Sequence, residues 1–204
     1  MRHAFLALVG TLAVPVLAAP AAPSGDLATV QGHLRSVRAM TATFSQTDRS
    51  GKVLGGTLAL KQPGRVRFQY ERGVPILIVA DGKTLNFVDY SVKQVSRWPI
   101  ASSPLAVLLD PTRDIGRYAS IIAGGDPRIV SVLAYDRKRP EYGRINLIFA
   151  RDAAAPGGLM LTGWAALDAQ GNRTTVRLAD QRYNGAIGDE TFRWNDPRKK
   201  TARN

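Results

Sequence analysis

Apolar and polar residues alternate strictly in one segment of this chain, KQPGRVRFQYE at positions 61–71. After a Pro-Gly turn, Val66, Phe68 and Tyr70 occupy every second position, with charged or polar residues between them. Because the side chains of a strand point alternately to its two faces, the segment is predicted to be a strand with one buried face. The pattern is the same whether that face contacts a filled core or a cavity.

Similar short segments, separated by turn signals such as Asp81-Gly82 and Gly124-Gly125, make up most of the chain. The predicted strands lie in ATFSQT, GGTLAL, GRVRFQYE, PILIVADG, KTLNFVD, QVSRW, RIVSVLAY, RINLIFA, LMLTGWAAL, TTVRLADQRYNG and TFRW. Short strands joined by tight turns indicate an antiparallel meander or barrel. The alternation does not determine which side chains face inward where the odd-numbered and even-numbered residues of a strand are both apolar, as in ILIV at 76–79.

Helical spacing is found in two segments. Asp26 can cap a helix, and the apolar residues that recur after it are Leu27, Val30, Leu34 and Val37. A second short helix is predicted in SSPLAVLLD at 102–110, where Ser102 or Ser103 can cap and Pro104 can occupy the first turn. Its leucines and valine cover most of its circumference, which is more than a single buried stripe requires.

The N-terminal residues predict export. Arg2 is followed by an apolar run at 4–17 and by small residues before Ala18, the pattern of a secretory signal peptide that is too short to span a membrane. A signal peptide is therefore predicted for residues 1–18, and one domain for residues 19–204. The mature chain is expected to be soluble.

Composition excludes several kinds of site. The chain has no cysteine, so disulfides, thiolate metal sites and cysteine nucleophiles are excluded. Its 28 Lys+Arg against 16 Asp+Glu give a formal net charge of +12, which favours anionic partners. A nucleic acid or another polyanion is one such partner, but predicted export and an aromatic content of 7% argue against stacking platforms.

Candidate catalytic residues are few. His33 is the only histidine after the predicted cleavage, no G-x-S-x-G motif accompanies it, and it is expected to be a lone surface histidine. Asp110 and Asp114 could serve a glycoside hydrolase, although a helix end followed by a new helix cap explains their spacing more simply. GGDPR at 124–128 lacks the lysine of a phosphate loop and is predicted to be a hairpin turn.

Five segments, in this order, resemble the outer-membrane lipoprotein carrier family, LolA. They are RAMTATFSQ (38–46), GGTLALKQPGRVRFQYE (55–71), ILIVADGKTL (76–85), SSPLAVLLD (102–110) and QRYNGAIGDETFRW (181–194). The resemblance implies a mainly β fold with a few helices, in which a curved antiparallel sheet forms an incomplete half-barrel covered by a helical lid. It further implies a periplasmic protein that catalyses no reaction and uses no cofactor or metal.

The same resemblance implies the partners. A protein of this family binds the acyl chains of lipoproteins and carries them from an inner-membrane transporter to an outer-membrane receptor. Nucleic acid is not expected as a partner, and a monomer is expected. A carrier of another amphiphile, such as free phospholipid, and a periplasmic sensor with the same half-barrel remain alternatives.

Candidate acyl-binding residues follow from strand parity together with this resemblance. Those proposed for the wall are Leu58, Leu60, Val66, Phe68, Tyr70, Ile78, Phe87, Leu147, Phe149 and Trp164. Those proposed for the lid are Leu105, Leu108 and Leu109. Burial of a chain there would contribute about 0.8 kcal/mol per CH₂.

The chain departs from the family pattern at two positions. The residue before the Pro63 turn is typically an arginine that hydrogen-bonds the lid and holds it shut, whereas here it is Gln62. An amide offers fewer donors than a guanidinium and no charge, so Gln62 is expected to be a weaker latch. The family also usually has an aromatic residue where this chain has Asn86, which is followed by Phe87.

Overall fold

The computed structural model describes residues 25–103 and 105–198, so the predicted signal peptide and Pro104 lie outside the described residues. A single eleven-stranded sheet forms the fold, in the order β6-β5-β4-β3-β2-β1-β11-β10-β9-β8-β7. The strands are β1 Ala39–Thr47, β2 Val53–Lys61, β3 Arg65–Tyr70, β4 Ile76–Asp81, β5 Thr84–Asp89, β6 Gln94–Pro99, β7 Ala119–Ile122, β8 Ile129–Tyr135, β9 Arg144–Arg151, β10 Leu159–Leu167 and β11 Arg173–Tyr183.

All pairings in this sheet are antiparallel. β6 and β7 end the strand order without pairing with each other, so the sheet curves into a barrel that does not close. The helices are α1 Gly25–Ser36 and α2 Ala106–Leu109, with 3-10 helices at Ile100–Ser102, Ile115–Arg117, Pro140–Tyr142, Pro156–Gly158 and Asp189–Phe192. The predicted fold class, a curved unclosed antiparallel sheet with few helices, is confirmed.

The concave face of the sheet is apolar. β3 places Phe68 opposite Leu58 on β2 and opposite Ile78 on β4, so these three side chains share one face. On the other side of β2, Phe44 on β1 lies opposite Leu178 on β11. Trp164 on β10 lies opposite Val176 on β11 and Leu147 on β9. The concave face therefore supplies most of the main hydrophobic core, which α1 and α2 cover.

The convex face carries a second, smaller core that explains the ILIV segment. Leu77 and Val79 point away from the concave face and pack with Val88 and Phe192, while Ile76 and Ile78 pack with the main core. Both faces of β4 are apolar because each face has a cover. The cover of the convex face is the C-terminal segment, which includes the 3-10 helix Asp189–Phe192.

The prediction of a strand at TFRW is therefore wrong. These residues end a 3-10 helix and continue as irregular chain, and they pair with none of the eleven strands. The Arg67 guanidinium donates to the carbonyls of Thr191 and Arg193 (3.3 and 3.0 Å), and Asp189 pairs with Lys61 and Arg65. Side chains of the convex face thus hold this backbone in place of a neighbouring strand.

Two further details differ from the sequence prediction. α1 begins at Gly25, so Asp26 lies in its first turn, where the carboxylate pairs with Arg151, and does not cap it. The strand β7, with the sequence ASII, was not predicted because four residues give too little alternation to identify. The GGDPR turn does connect the hairpin of β7 and β8, as predicted.

His33 is buried, so the expectation of a surface histidine is wrong. The ring is 2% exposed and packs edge-on against Phe149 and Tyr183, with centroid distances of 5.3 and 6.0 Å. Nδ1–H donates to the carbonyl of Pro156 (2.7 Å). Gly157 has φ +66°, and a Cβ there would lie 2.8 Å from the Cα of His33, so α1 and this loop approach too closely for a side chain.

Burial of His33 predicts a pH dependence of stability. Desolvation lowers the pKa of His33, although the carbonyls of Pro156 and Leu159 oppose the shift. Below about pH 6.5 the unfolded chain therefore binds a proton that the folded chain does not, and stability decreases as the pH falls through this window. Urea unfolding between pH 8 and pH 5 should show this decrease, which His33→Gln should abolish because glutamine keeps a donor without titrating. An equal slope in the variant would assign the effect to another group.

Candidate functional site

An aromatic cluster forms the floor of the concave face beneath α2. Phe44 lies edge-on to Phe68 and Tyr70 at centroid distances of 5.4 and 5.2 Å, and Phe68 lies edge-on to Trp164 at 6.0 Å. The Tyr70 hydroxyl donates to Oε1 of Gln46 (2.8 Å). Desolvation raises the pKa of Tyr70 to about 12, so this side chain stays neutral at physiological pH. The floor is therefore apolar and uncharged.

α2 lies over this floor as a lid. Leu108 and Leu109 are buried, and Leu105, just before the helix, is half-buried. The space left beneath them is about 10 Å³, lined by Met40, Leu58, Leu60, Val66, Phe68, Leu105, Leu108, Leu109, Leu161 and Trp164. Such a void is no larger than the site of one water molecule. A hydrocarbon chain can enter this space only if the lid moves away from the sheet.

An open cleft of about 360 Å³ adjoins this void. Phe68, Leu105 and Trp164 line both spaces, so these three side chains lie where the cleft borders the region beneath the lid. Its other apolar residues are Ile78, Leu85, Phe87, Trp98, Ala166, Ala169 and Val176. Polar side chains, among them Gln46, Glu141 and Asp168, complete the lining. The apolar part of the site is thus already accessible from one side.

The predicted wall residues all lie on the concave face but in different surroundings. Leu58, Leu60, Val66 and Phe68 line the void, whereas Ile78 and Phe87 line the cleft and Trp164 lines both. Tyr70 belongs to the aromatic floor, while Leu147 and Phe149 are fully buried core residues, the latter against His33 on α1. The structure therefore brings most of this set together and places Leu147 and Phe149 in filled core.

Five large apolar residues of the cleft or the void were not identified from the sequence: Met40, Leu85, Trp98, Leu161 and Val176. Trp98 could have been found from parity, because Leu85 pairs with Trp98 and Phe87 with Ser96 across β5 and β6. That pairing requires the register of the β5–β6 hairpin, which the sequence pattern does not supply. Trp98 remains 37% exposed and lies where the cleft meets solvent.

Gln62 contacts the lid. Its Nε2 donates to the carbonyl of Leu108 (2.6 Å), and the backbone N–H of Gly64 donates to the carbonyl of Leu109 (2.8 Å). Oε1 of Gln62 is buried and has no hydrogen-bond partner among the described residues. Two hydrogen bonds therefore join the β2–β3 turn to the end of α2. Ser103 Oγ accepts from the N–H of Leu105 (3.1 Å) at the other end of the lid.

Asn86, the second departure from the family pattern, lies away from this site. It is buried on the convex side of β5, where its Nδ2 donates to the carbonyl of Val79 (3.2 Å). The neighbouring Phe87 faces the cleft. An aromatic residue at position 86 would therefore contact the convex side and not the cleft.

The two candidate carboxylates have local partners. Asp110 follows α2, accepts from the N–H of Thr112 (3.1 Å) and lies 3.7 Å from Arg113. Asp114 caps the 3-10 helix Ile115–Arg117 through the N–H of Gly116 (3.0 Å). The simpler interpretation of this pair, a helix end followed by a cap, is confirmed.

Two kinds of feature are missing from residues 25–103 and 105–198. Their histidine, aspartate and glutamate side chains form no group of three or more that could hold a metal ion. None of the helices in this part of the chain combines the length and apolar character needed to cross a membrane.

Comparison with known proteins identifies one family. The model of the family described as outer membrane lipoprotein carrier protein LolA matches residues 35–195. An outer-membrane lipoprotein carrier protein from Chromobacterium violaceum is 28% identical, over 97% of this chain and 96% of the relative. One from Xanthomonas campestris is 29% identical over 78% and 79%. Among solved structures, a LolA superfamily protein from Nitrosomonas europaea has a TM-score of 0.44 at 12% identity, covering 86% of this chain and 99% of its own.

Proposed function

This chain belongs to the outer membrane lipoprotein carrier protein LolA family, and on that premise we propose that it carries lipoproteins through the periplasm by enclosing their acyl chains. The carrier receives its cargo from an inner-membrane transporter and delivers it to an outer-membrane receptor. It acts by binding and release, without a catalysed reaction or a cofactor.

The observation that supports this proposal most strongly is that the open cleft lies directly beside the closed void. Both spaces are lined by apolar side chains, and both include Phe68, Leu105 and Trp164. A filled core would not need an apolar cleft at its border, whereas a carrier needs a route from solvent to the space beneath its lid. The concave face can therefore hold hydrocarbon once α2 has moved.

The energies involved favour an exchange of lid contacts for cargo contacts. Two hydrogen bonds hold α2 to the β2–β3 turn, and each contributes about 0.5–1.5 kcal/mol net. Ten methylene groups of an acyl chain, at about 0.8 kcal/mol each, contribute about 8 kcal/mol when they leave water. Cargo burial therefore exceeds the cost of breaking both hydrogen bonds, and the acyl chain replaces the apolar contacts that Leu105, Leu108 and Leu109 lose when the lid moves.

The direct test of this function is the identity of what the protein carries. The protein is purified from the periplasm without detergent, and its bound molecules are identified by mass spectrometry. Triacylated or diacylated polypeptides at up to one per protein are the expected finding. A Phe87→Glu variant, which places a carboxylate in the cleft, serves as the control that should lose them. A protein that carries no acylated molecule under these conditions contradicts the proposal.

Gln62 is proposed to latch the lid weakly, and Gln62→Arg should strengthen the latch. Charge-assisted hydrogen bonds are roughly twice as strong as neutral ones. An additional 1 kcal/mol or so on the closed state would slow uptake of an acyl probe about fivefold. Stopped-flow uptake and hydrogen exchange at Leu108 and Leu109 measure this. Thr57→Arg, an exposed change on the outer face of β2, adds the same charge away from the lid and should leave uptake unchanged. Equal uptake in the Gln62→Arg variant and the native chain would exclude a latch.

A further inference from the structure

A second concavity of about 430 Å³ lies beside the lid, between α2 and the 3-10 helix Pro140–Tyr142. Its polar and aromatic lining comprises Ser103, Arg113, Tyr118, Tyr135, Asp136, Arg139 and Tyr142. We call it the arginine–tyrosine groove. Ser103 and Tyr142 also line the apolar cleft, so the groove and the cleft meet at these two side chains.

Both arginines of this groove are stacked on tyrosine rings. The guanidinium carbon of Arg113 lies 5.7 Å from the ring centroid of Tyr118, and that of Arg139 lies 5.2 Å from the centroid of Tyr142. Nη1 of Arg139 also donates to the Tyr142 hydroxyl (2.5 Å). A stacked guanidinium is oriented in advance, while the N–H groups at its edge can still form paired hydrogen bonds to phosphate oxygens.

The charges around the groove favour an anion on this side of the cleft. Arg117, Arg137 and Lys138 line the adjoining surface, which continues from the groove through Arg113 and Tyr118. Arg113 lies 3.7 Å from Asp110 and Arg117 lies 3.5 Å from Asp114. The five cationic side chains that line these two concavities still outnumber their two carboxylates, Asp114 and Asp136. The carboxylate of Asp136 accepts the backbone N–H of Lys138 (2.9 Å). The cleft itself is lined by two carboxylates, Asp168 and Glu141, the latter on the same 3-10 helix as Tyr142, together with Gln170 and Asn172. An anionic group on a ligand in the cleft is therefore attracted to the groove and repelled by this acidic part of the lining.

We propose that the arginine–tyrosine groove binds the phosphate of an anionic glycerophospholipid whose acyl chains occupy the apolar cleft. This inference rests on the proposed function, because it requires that the cleft accept acyl chains. It adds a second class of cargo, a phospholipid, to the lipoprotein. An acidic peptide would satisfy the arginines, but it would leave the adjoining apolar cleft unused, whereas a phospholipid joins both chemistries within one molecule.

The test compares three soluble probes by isothermal titration calorimetry: dioctanoyl-phosphatidylglycerol, dioctanoylglycerol and glycerol phosphate. The phosphatidylglycerol is expected to bind at least tenfold more tightly than dioctanoylglycerol at low salt, and its advantage should shrink as salt screens the phosphate contact. Glycerol phosphate alone is expected to bind at least a hundredfold more weakly than the lipid. Arg139→Gln should reduce the affinity for phosphatidylglycerol to that for dioctanoylglycerol.

The controls distinguish failure of this inference from failure of the proposed function. Arg128→Gln removes an exposed charge paired with Asp126 on the β7–β8 hairpin and should change none of the affinities. Equal binding of the charged and neutral lipids would overturn the phosphate site and leave the acyl site intact. Binding of neither lipid would contradict both. Glycerol phosphate that binds as tightly as the lipid would overturn the inference in favour of a free-phosphate site. Displacement of the lipid by a tetraglutamate peptide at equal concentration would overturn it in favour of an acidic protein partner.

Discussion

Phe68→Glu is expected to abolish binding of an acyl probe and to lower the free energy of unfolding by more than about 3 kcal/mol. Phe68 is 3% exposed, contacts Phe44 and Trp164 edge-on, and lines both the void and the cleft. The substitution removes a buried aromatic ring and places a carboxylate where it would have to be desolvated. Chemical denaturation and titration with a fluorescent fatty acid measure the two effects.

Two companion variants separate loss of binding from loss of folding. Phe68→Leu keeps the site apolar and should retain binding within about tenfold while losing part of the stability. Phe87→Glu changes a half-buried residue of the cleft, so the chain should fold normally while its affinity falls at least tenfold. Unchanged binding in Phe87→Glu, or unchanged stability and binding in Phe68→Glu, would show that these side chains do not form the wall.

Phe192→Ala should cost about 3–5 kcal/mol of stability although Phe192 lies outside the half-barrel. Its ring is 5% exposed and packs on Leu77, Val79 and Val88 beneath the C-terminal segment. Loss of the ring opens a cavity over the convex face of β4 and β5. The concave face is not altered, so the fraction of molecules that remains folded should bind the acyl probe with native affinity.

Glu190→Ala is the matched control, because Glu190 belongs to the same 3-10 helix but is exposed. It should change the free energy of unfolding by no more than about 0.5 kcal/mol. Urea denaturation of the two variants gives the comparison. Similar stabilities for Phe192→Ala and Glu190→Ala would mean that the C-terminal segment does not form a second core.

The sequence pattern predicted those parts of the fold that depend on local alternation. Val66, Phe68 and Tyr70 face one side because strand geometry leaves no other choice, and the turn at Pro63-Gly64 sets where the strand begins. The side of the sheet to which each residue of ILIV points could not be predicted, because both sides are covered and one cover is a C-terminal segment more than one hundred residues away. For the same reason the pattern of TFRW predicts a strand although none forms: its apolar residues pack on the sheet as a cover.

The candidate site was predictable where it lies on strands whose apolar and polar residues alternate. His33 was misassigned because its burial comes from the close approach of α1 to the loop at Gly157, a long-range contact with no local signal. Trp98 was missed because its position depends on the register of an edge hairpin. The distinction between filled core at Phe149 and accessible wall at Phe87 also arises only when the helices are placed.

The space beneath the lid is too small for an acyl chain, so the proposed carrier function requires the lid to move. The space beneath α2 is about 10 Å³, and Leu105, Leu108 and Leu109 occupy the volume that an acyl chain would need. Loading must therefore separate α2 from the sheet, whereas a filled core would keep its dimensions when lipid is added.

Pulsed electron–electron double resonance between spin labels on the lid and on the sheet measures this separation directly. One label replaces Thr112, exposed just beyond α2, and the other replaces Thr57, exposed on the outer face of β2. A control pair at Thr57 and Ser120 reports the sheet alone, since Ser120 lies on β7. We expect saturation with an acyl probe to lengthen the Thr57–Thr112 distance while the control distance stays within error. A Thr57–Thr112 distance that does not change at saturating lipid would contradict movement of the lid.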